Sequence, residues 1–573
     1  MNEDWLAGLA TFARAYPANA AHLAEPGMDP DVERLAEAFD YLAAKVRRIV
    51  DRRSIELIDP LAEIFCPELQ RALPAATILQ LNATPPRSKR ISVNAGAEFN
   101  SVPCDGTACV FRAMSALDVV PWAVAEARAE WSAEHGQSVV LDLEAVKPNI
   151  PLASLFPLRL HFASETPHAE TLLLWFCRRL EAIELHVHGV AARVLRMGPK
   201  NVRPWGLDRT HALLPIEPLE HPGFRLLREY FVLPQKFAFA DVHAPEGALE
   251  EHVDRVSLVF RFESTLPATT RVTRDAIRLN CVPVINVFDA TTDPIRPTLE
   301  VPMHALRVAG VDVNHAAIYA VRAAHLRMAG ERDLRPLASL MAFGATPPDA
   351  LRGTFFATHL APERRPEPDL CVSLGTAEDA GPLPELDFAS FDVWATNGTL
   401  APSLRVGDVC MPGPRSPRGV AFRNIRFITP YVPPPRGGRL RERTTAFLSM
   451  TARRGYDRER LQCLLRCLDP NGLTRTQAGR AEAQRLEAVE SVVFRPGRVR
   501  SRGALVRGQD IEVVLGRGNF VHDGEVFVFA SILDRLFAFE APLSSYTRTK
   551  VRWLPTGLSL DFPPRHSDHL LDA

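Results

Sequence analysis

The fold of this chain is organised around residues 221–242, HPGFRLLREYFVLPQKFAFADV. Pro222 suits the first turn of a helix, where a missing N–H costs nothing, and apolar residues recur behind it at helical spacing. Pro234 cannot continue a helix, so the helix should end just before it. Phe237 and Phe239 alternate with alanine, which predicts a strand that points both rings to one face. A helix, a proline corner and a strand with several buried rings therefore form the expected packing nucleus.

The bulk composition is that of a soluble globular protein with several domains. The chain has 573 residues, which is too long for one hydrophobic core. Its 67 Lys and Arg residues balance 68 Asp and Glu residues, so no global field attracts nucleic acid or an anionic membrane. Nine cysteines are scattered without zinc-site spacing, which favours free thiols in a reduced, cytoplasmic setting. No apolar run approaches the roughly 20 residues that cross a bilayer, and the N-terminus lacks the features of a signal peptide.

Periodicity and composition divide the chain into four expected regions. We predict an N-terminal helical segment over 1–75, a first β-rich α+β domain over 76–245, a middle β-rich domain over 246–400 and a C-terminal α+β domain over 401–573. The predicted fold class is α+β and multidomain, with a helical segment followed by several β-rich mixed domains.

In the last region, the run EVFVF over 525–529 predicts a strand, and the apolar run SILDRLFAF over 531–539 predicts a separate helix.

The helix predicted after Asp29 and Pro30 has two distinct faces. An aspartate followed by proline is typical of an N-cap and first helical turn. The apolar face either packs on its own domain or joins helices from another chain, and the sequence leaves both alternatives open. On the second alternative, five residues at helical spacing are candidate protein-interface residues: Val32, Leu35, Phe39, Leu42 and Val46.

The sequence contains no recognised catalytic motif. It has no G-x-x-x-x-G-K-[ST] loop, no G-x-S-x-G elbow and no H-E-x-x-H pair, so we predict no catalytic, cofactor-binding or metal-binding residues. His186 and His188 share one face of a predicted strand, a geometry that a metal ion can use. No acidic or cysteine partner is placed by the sequence, so we interpret them as surface or hydrogen-bonded histidines in preference to a metal site.

The strongest charge feature is FRPGRVRSRGALVR, residues 494–507, with five arginines. Such a run can bind phosphate or an acidic protein surface. It can also be a solvated pair of strands whose arginine stems cover apolar surface. No interleaved aromatic residue offers a platform on which bases stack, so a solvated strand pair or a protein interface is favoured over nucleic-acid binding.

Six segments, in order along the chain, resemble motifs of the type VI secretion baseplate family TssF, also called ImpG or VasA. They are DPDVERLAEAFDYLAAKVR (29–47), IDPLAEIFCPELQRALPA (58–75), CVFRAMSALDVVP (109–121), the central segment (221–242), IRLNCVPVINVFDATTDPI (277–295) and GEVFVFASILDRLFAFEAPLSSYTRTKV (524–551). The stretch Leu440–Asp457, LRERTTAFLSMTARRGYD, departs from the family pattern, so partner contacts are least transferable there.

The resemblance implies a non-enzymatic wedge subunit with a fold like that of contractile-tail baseplate wedge proteins. It implies a cytoplasmic location at a baseplate docked near the inner membrane, without cofactor, nucleic acid or direct membrane insertion. The implied partners are TssG-like, TssK-like and TssE-like subunits, a VgrG-like spike hub and a second copy of this chain, and the implied role is to scaffold assembly of the contractile sheath. The alternative from the residues alone is a β-rich enzyme or carbohydrate-binding protein with a site assembled from distant residues.

Overall fold

The chain divides into two compact units, Met1–Ile64 and Phe65–Ala573, and the elements below belong to the second. The predicted N-terminal helix with its five candidate interface residues lies outside the described residues. The computed structural model describes residues 62–570, except for 133–135, 164–165, 189–192, 218–219, 246–248, 298–302, 342–352, 361–369, 377–385, 436, 452–456, 470–484, 502, 519, 543 and 567–568.

The described residues form a mixed, strand-rich fold with several sheets, as predicted. The α-helices are α1 (Thr166–Arg178), α2 (Pro222–Val232), α3 (Gly437–Thr451), α4 (Arg458–Leu468) and α5 (Asp523–Phe539). Short 3₁₀ turns occupy Pro67–Gln70, Leu152–Leu155, Pro199–Asn201, Arg209–His211, Pro234–Phe237 and Gly398–Ser403.

Three sheets draw most of their strands from residues 76–285. The first has the order β25 (Val420–Asn424), β1 (Ala76–Ala83), β17 (Cys281–Ile285), β4 (Thr107–Arg112) and β3 (Glu98–Cys104). The second has the order β11 (Arg193–Met197), β10 (Leu180–His188), β15 (Arg255–Phe262), β7 (Gly136–Ala145) and β6 (Trp122–Ser132). The third has the order β12 (Val202–Pro204), β13 (Phe239–Val242), β9 (Leu158–Phe162) and β16 (Ile277–Arg278).

Two further sheets lie in the middle and C-terminal parts of the chain. The fourth has the order β18 (Phe288–Thr291), β24 (Leu386–Thr396), β20 (Ala317–Met328), β21 (Arg335–Ser339), β22 (Thr354–Leu360), β23 (Leu370–Thr376) and β19 (His304–Ala305). The fifth has the order β26 (Val489–Ser501), β27 (Ala504–Leu515), β28 (Tyr546–Trp553), β30 (Arg565–His566) and β31 (His569–Leu570), with β29 (Leu558–Asp561) also on β28. Two-stranded pairs join β14 (His252–Val253) to β8 (Ile150–Pro151) and β2 (Ile91–Val93) to β5 (Leu117–Val119).

The central segment forms the predicted helix, but its strand is shorter than expected. Helix α2 begins at Pro222 and ends at Val232, two residues before Pro234. The chain then turns through a 3₁₀ turn that includes Phe237, and β13 begins only at Phe239. The two rings enter different hydrophobic clusters. The prediction that both point to one face of a strand was therefore wrong, because the turn rotates Phe237 away from the strand.

The turn after α2 is fixed by a buried ion pair. The side chain of Lys236 is fully buried, and its Nζ contacts the carboxylate of Glu229 on α2. The other carboxylate oxygen of Glu229 accepts the backbone N–H groups of Leu213 and Leu214 at 2.7 and 2.9 Å. Burial lowers the pKa of Lys236, and the charge of Glu229 opposes this shift. The pair thus ties the helix, the turn and the preceding loop together.

Helix α5 covers a segment for which we predicted a strand followed by a separate helix. The strand predicted over 525–529 is wrong, because Asp523–Phe539 is one helix. Every side chain from 524 to 538 is buried, so no polar face reveals the helical period. Helix α5 approaches α1 so closely that a Cβ at Gly524 would lie 2.4 Å from the backbone of Glu170. Helix α5 is therefore a central element of the largest core cluster.

Lys236→Met is expected to lower the free energy of unfolding by about 3–5 kcal/mol, because it leaves the buried carboxylate of Glu229 unpaired. The double change Glu229→Gln with Lys236→Met should cost less, since the amide oxygen still accepts the two backbone N–H groups. The measurement is urea denaturation of each variant. Lys200→Met, at an exposed position, is the matched control, with an expected change within about 0.5 kcal/mol. A single variant no less stable than the double one would contradict this role of the pair.

A pH dependence follows from His161, whose ring is buried and stacks on Phe239 with centroids 4.2 Å apart. Burial lowers its pKa to about 3, so the folded state binds a proton less readily than the unfolded state. This contribution to stability is complete above about pH 6.5 and is lost as the pH falls toward 3. In His161→Phe, the free energy of unfolding should fall less steeply between pH 6.5 and 4, by up to about 1.4 kcal/mol per pH unit. The control His252→Phe, at an exposed position, should retain the wild-type slope in the same denaturation series. Equal slopes in His161→Phe and the wild type would refute the assignment of this pH dependence to His161.

Candidate functional site

The two histidines singled out from the sequence lie on β10 and are bound to neighbouring side chains. His186 Nε2 lies 3.2 Å from Glu184 Oε2, and His188 Nε2 lies 2.8 Å from Ser257 Oγ. No group of three or more metal-ligating side chains occurs in the part of the chain that the structure describes. Both histidines are thus surface side chains, and each contacts a neighbouring residue of the same sheet.

A small cavity of about 130 Å³ lies beside β5, β9 and β13. Arg159 on its wall forms two hydrogen bonds to Asp241, at 2.8 and 3.0 Å. Arg90 donates to the carbonyl oxygens of Ser154 and Pro157 at 2.8 and 3.0 Å. Because both arginines bind other groups of the chain, the charged side chains around the cavity hold elements of the fold together.

A charged cluster joins the first sheet to the fourth. Asp289 on β18 accepts hydrogen bonds from Arg112 of β4 at 3.0 Å, Arg322 of β20 at 2.8 Å and Arg415 at 2.8 Å. Glu98 of β3 pairs with Arg112 at 2.6 Å. Burial alone would raise the pKa of Asp289, but the arginines outweigh it and hold that pKa at about 2. Asp289 therefore stays ionised throughout the physiological range.

A buried amide network joins the same two sheets. Asn286 donates to the carbonyl of Val110 at 2.9 Å and to Asn397 Oδ1 at 2.8 Å. Its own Oδ1 accepts from Thr396 Oγ1 at 2.8 Å and from the backbone N–H of Asn397 at 2.7 Å. Sequence reasoning missed this joint, although an asparagine inside an apolar run was the available signal. A fully bonded amide specifies one arrangement of the two sheets.

Helix α2 is also hydrogen-bonded to the segment at the start of the second unit. Arg228 donates to the carbonyl oxygens of Arg71 and Ala72 at 3.1 and 3.0 Å. Arg71 in turn pairs with Glu217 at 2.8 Å. Since Arg228 is buried, these bonds offset the cost of taking its charge out of water.

The segments that carry the family resemblance supply these joints. The central segment provides Glu229 and Lys236, and the segment 277–295 provides Asn286 and Asp289. In the segment 524–551, Arg535 of α5 donates to Asp208 at 2.7 Å. These segments thus hold elements together, and residues of three of the motif segments (109–121, 221–242 and 277–295) also line the small cavity described above.

The arginine-rich run forms the long hairpin β26–β27, whose end we call the basic ribbon (residues 498–507). Arg498 stands opposite Arg507, and Arg500 stands opposite Leu505. These side chains are exposed. The predicted solvated strand pair is thus present, and it offers the most concentrated positive surface that sequence analysis identified.

No helix of the described residues is long and apolar enough to cross a membrane.

Comparisons with known proteins agree with the resemblance. A family model described as "Type VI secretion system, TssF" matches residues 7–569. The curated "Type VI secretion system component TssF1" of Pseudomonas aeruginosa strain PAO1 is 28% identical in an alignment 616 residues long, which spans 95% of this chain and 94% of that protein.

Solved structures with the same fold come from baseplates. One is a chain of the TssK-TssF-TssG baseplate subcomplex of the type VI secretion system, determined by cryo-electron microscopy. It matches with a TM-score of 0.77 and 25% identity, and the match covers 94% of this chain and 99% of that chain. A chain of the baseplate complex from the type VI secretion system shares the fold, with a TM-score of 0.61 and 23% identity over 98% and 97% of the two chains. Since the family model spans nearly the whole sequence, this chain belongs to the TssF family of type VI secretion system proteins.

Proposed function

We propose that this chain is a structural wedge subunit of a type VI secretion baseplate, which scaffolds assembly of the contractile sheath around the spike hub. The observation that carries the proposal is the match to a chain of a TssK-TssF-TssG subcomplex, which extends over 94% of this chain at a TM-score of 0.77. A match of that extent covers the whole architecture and not one borrowed domain. The family and its matched structure are structural components, so the chain acts by binding and not by catalysis.

The internal joints support this role. Asp289, Asn286 and Glu229 are each bonded to several groups from other elements. Such joints use buried polar groups to fix the relative placement of sheets, because a displaced partner would leave a charge or amide unpaired. A scaffold needs this rigidity to hold its partners at fixed positions.

The proposed partners are TssK-like and TssG-like subunits, by analogy with the complex in the matched structure. On the family resemblance we extend the proposal to a TssE-like subunit, a VgrG-like hub and a second copy of this chain. The proposed location is the cytoplasmic baseplate, docked near the inner membrane.

The proposed contact to partner helices is the apolar face of the helix predicted after Pro30. Its five residues, Val32, Leu35, Phe39, Leu42 and Val46, share one helical face in the sequence. A strongly two-faced helix in a leader segment is suited to an intermolecular bundle, in which facing helices bury apolar stripes.

Co-expression tests the proposed function. With TssG-like and TssK-like subunits from the same organism, this chain should be purified in one stable complex that holds two copies of it for each TssG-like subunit. Native mass spectrometry measures the stoichiometry, and the chain expressed alone provides the reference. Recovery of this chain only as a lone monomer from the co-expression would oppose the proposal.

Charged replacements on the apolar helix face test the proposed contact. Phe39→Glu, Leu42→Glu and Val46→Glu should reduce recovery of the complex by at least about tenfold, since each places a charge in an apolar interface at a cost of several kcal/mol. Arg34→Glu, off that face, is the matched control. Thermal unfolding of the isolated variants should resemble that of the wild type; global unfolding would instead show that the face packs inside its own chain.

A further inference from the structure

The basic ribbon extends beyond the sheet to which its hairpin belongs. Strand β27 pairs with β28 only from Gly508 to Leu515. Its earlier residues, from Ala504 to Arg507, pair with β26 alone. Strand β26 is the edge of the sheet. The end of the hairpin is therefore a two-stranded arm, and no other strand of the described residues pairs with either of its sides.

One face of this arm carries arginines opposite one another. Residues directly paired in antiparallel strands, and those two positions along, lie on the same face. Arg498, Arg507, Arg500 and Leu505 thus share a face. Like charges placed directly opposite destabilise a strand pair. The arrangement is unfavourable for an isolated hairpin, so folding does not account for it.

The arginines on the opposite face of the hairpin and of its neighbouring strand are paired with acidic side chains. Arg495 and Arg552 pair with Glu512 at 3.5 and 2.9 Å. Arg548 pairs with Asp510 at 2.9 Å.

The acidic partners Asp510 and Glu512 lie on the face of the hairpin opposite to the ribbon arginines. The three ribbon arginines at 498, 500 and 507 form no ion pair with a carboxylate of the described residues. Their positive charge is not neutralised by this part of the chain and is available to a partner.

We propose that the basic ribbon docks on an acidic surface of another subunit of the baseplate, with Leu505 entering an apolar depression in that surface. This inference rests on the proposed function and adds a contact to it. The exposed cationic face requires a negative surface for charge complementarity.

A protein surface fits the ribbon better than a nucleic acid does. Leu505 is 62% exposed beside the arginines, and arginines around an apolar side chain are typical of protein interfaces. No aromatic residue occurs between 498 and 507 on which bases could stack. Pro496 interrupts the donors of the edge strand β26, which disfavours the addition of a partner's strand. The partner is thus expected to contact side chains of the ribbon face.

Charge reversal tests the contact in the assembled complex. The variant Arg498→Glu, Arg500→Glu, Arg507→Glu should bind the TssG-like and TssK-like subunits at least about tenfold more weakly than the wild type at low salt. The wild-type affinity should fall with added salt, and that of the variant should fall less, because screening acts on the ribbon charges. The matched control is Arg209→Glu, Arg405→Glu, Arg423→Glu, which changes the charge equally at exposed positions and should bind as the wild type does. Thermal unfolding of all three proteins should be alike.

The outcomes separate this inference from the proposed function. If the wild type assembles and the ribbon variant assembles equally well, the inference is overturned and the proposed function stands. If the wild type does not assemble, the proposed function fails, and crosslinking in the cell decides the inference. A photoreactive amino acid in place of Leu505 should then crosslink to a peptide rich in Asp and Glu. A crosslink to a non-acidic peptide, or none, overturns it, as does binding to a 20-base-pair DNA duplex that the ribbon variant loses.

Discussion

The structure depends on a lysine and a glutamate paired without access to water. Lys236 lies in the turn that begins at Pro234 and Glu229 lies on α2, and the carboxylate of Glu229 also accepts the backbone N–H groups of Leu213 and Leu214. Such a pair is costly to bury and more costly to break, because a single partner left behind is an unpaired charge in a medium of low polarity. Its value is specificity: the corner has one low-energy geometry, and the helix and strand on either side take their directions from it.

The sequence predicts a helix or a strand correctly where particular residues, such as prolines, mark its ends. Pro222 and Pro234 bound α2 correctly, and the arginine-rich run forms the pair of strands that was one interpretation of it. Helix α5 was harder, because burial on all sides removes the polar face that reveals a helix. Pairings such as Ala76 with Ile285 join residues that no local pattern connects. For the candidate contact surfaces, the sequence reveals the arginines, but only the strand register shows that they share one face without acids.

The joints between sheets follow a common rule. Asp289 is surrounded by arginines from three places in the chain, and Asn286 uses its donor and its acceptor in full. In both, a polar group that would be expensive to bury alone is fully bonded by groups that meet only in one arrangement. The family motifs at 221–242, 277–295 and 524–551 thus supply contacts that hold the fold together.

The parallel pairing of β27 with β28 has a mechanical consequence. A pull on the tip of the hairpin along the strand axis would load all eight residue pairs from Gly508 to Leu515 in shear at once. Unzipping them one at a time would require a force across the sheet. Because α5 connects the two strands and lies in the largest core cluster, the tension would pass directly into the interior of the protein. The arm would therefore resist a pull along the strand axis better than a pull across the sheet.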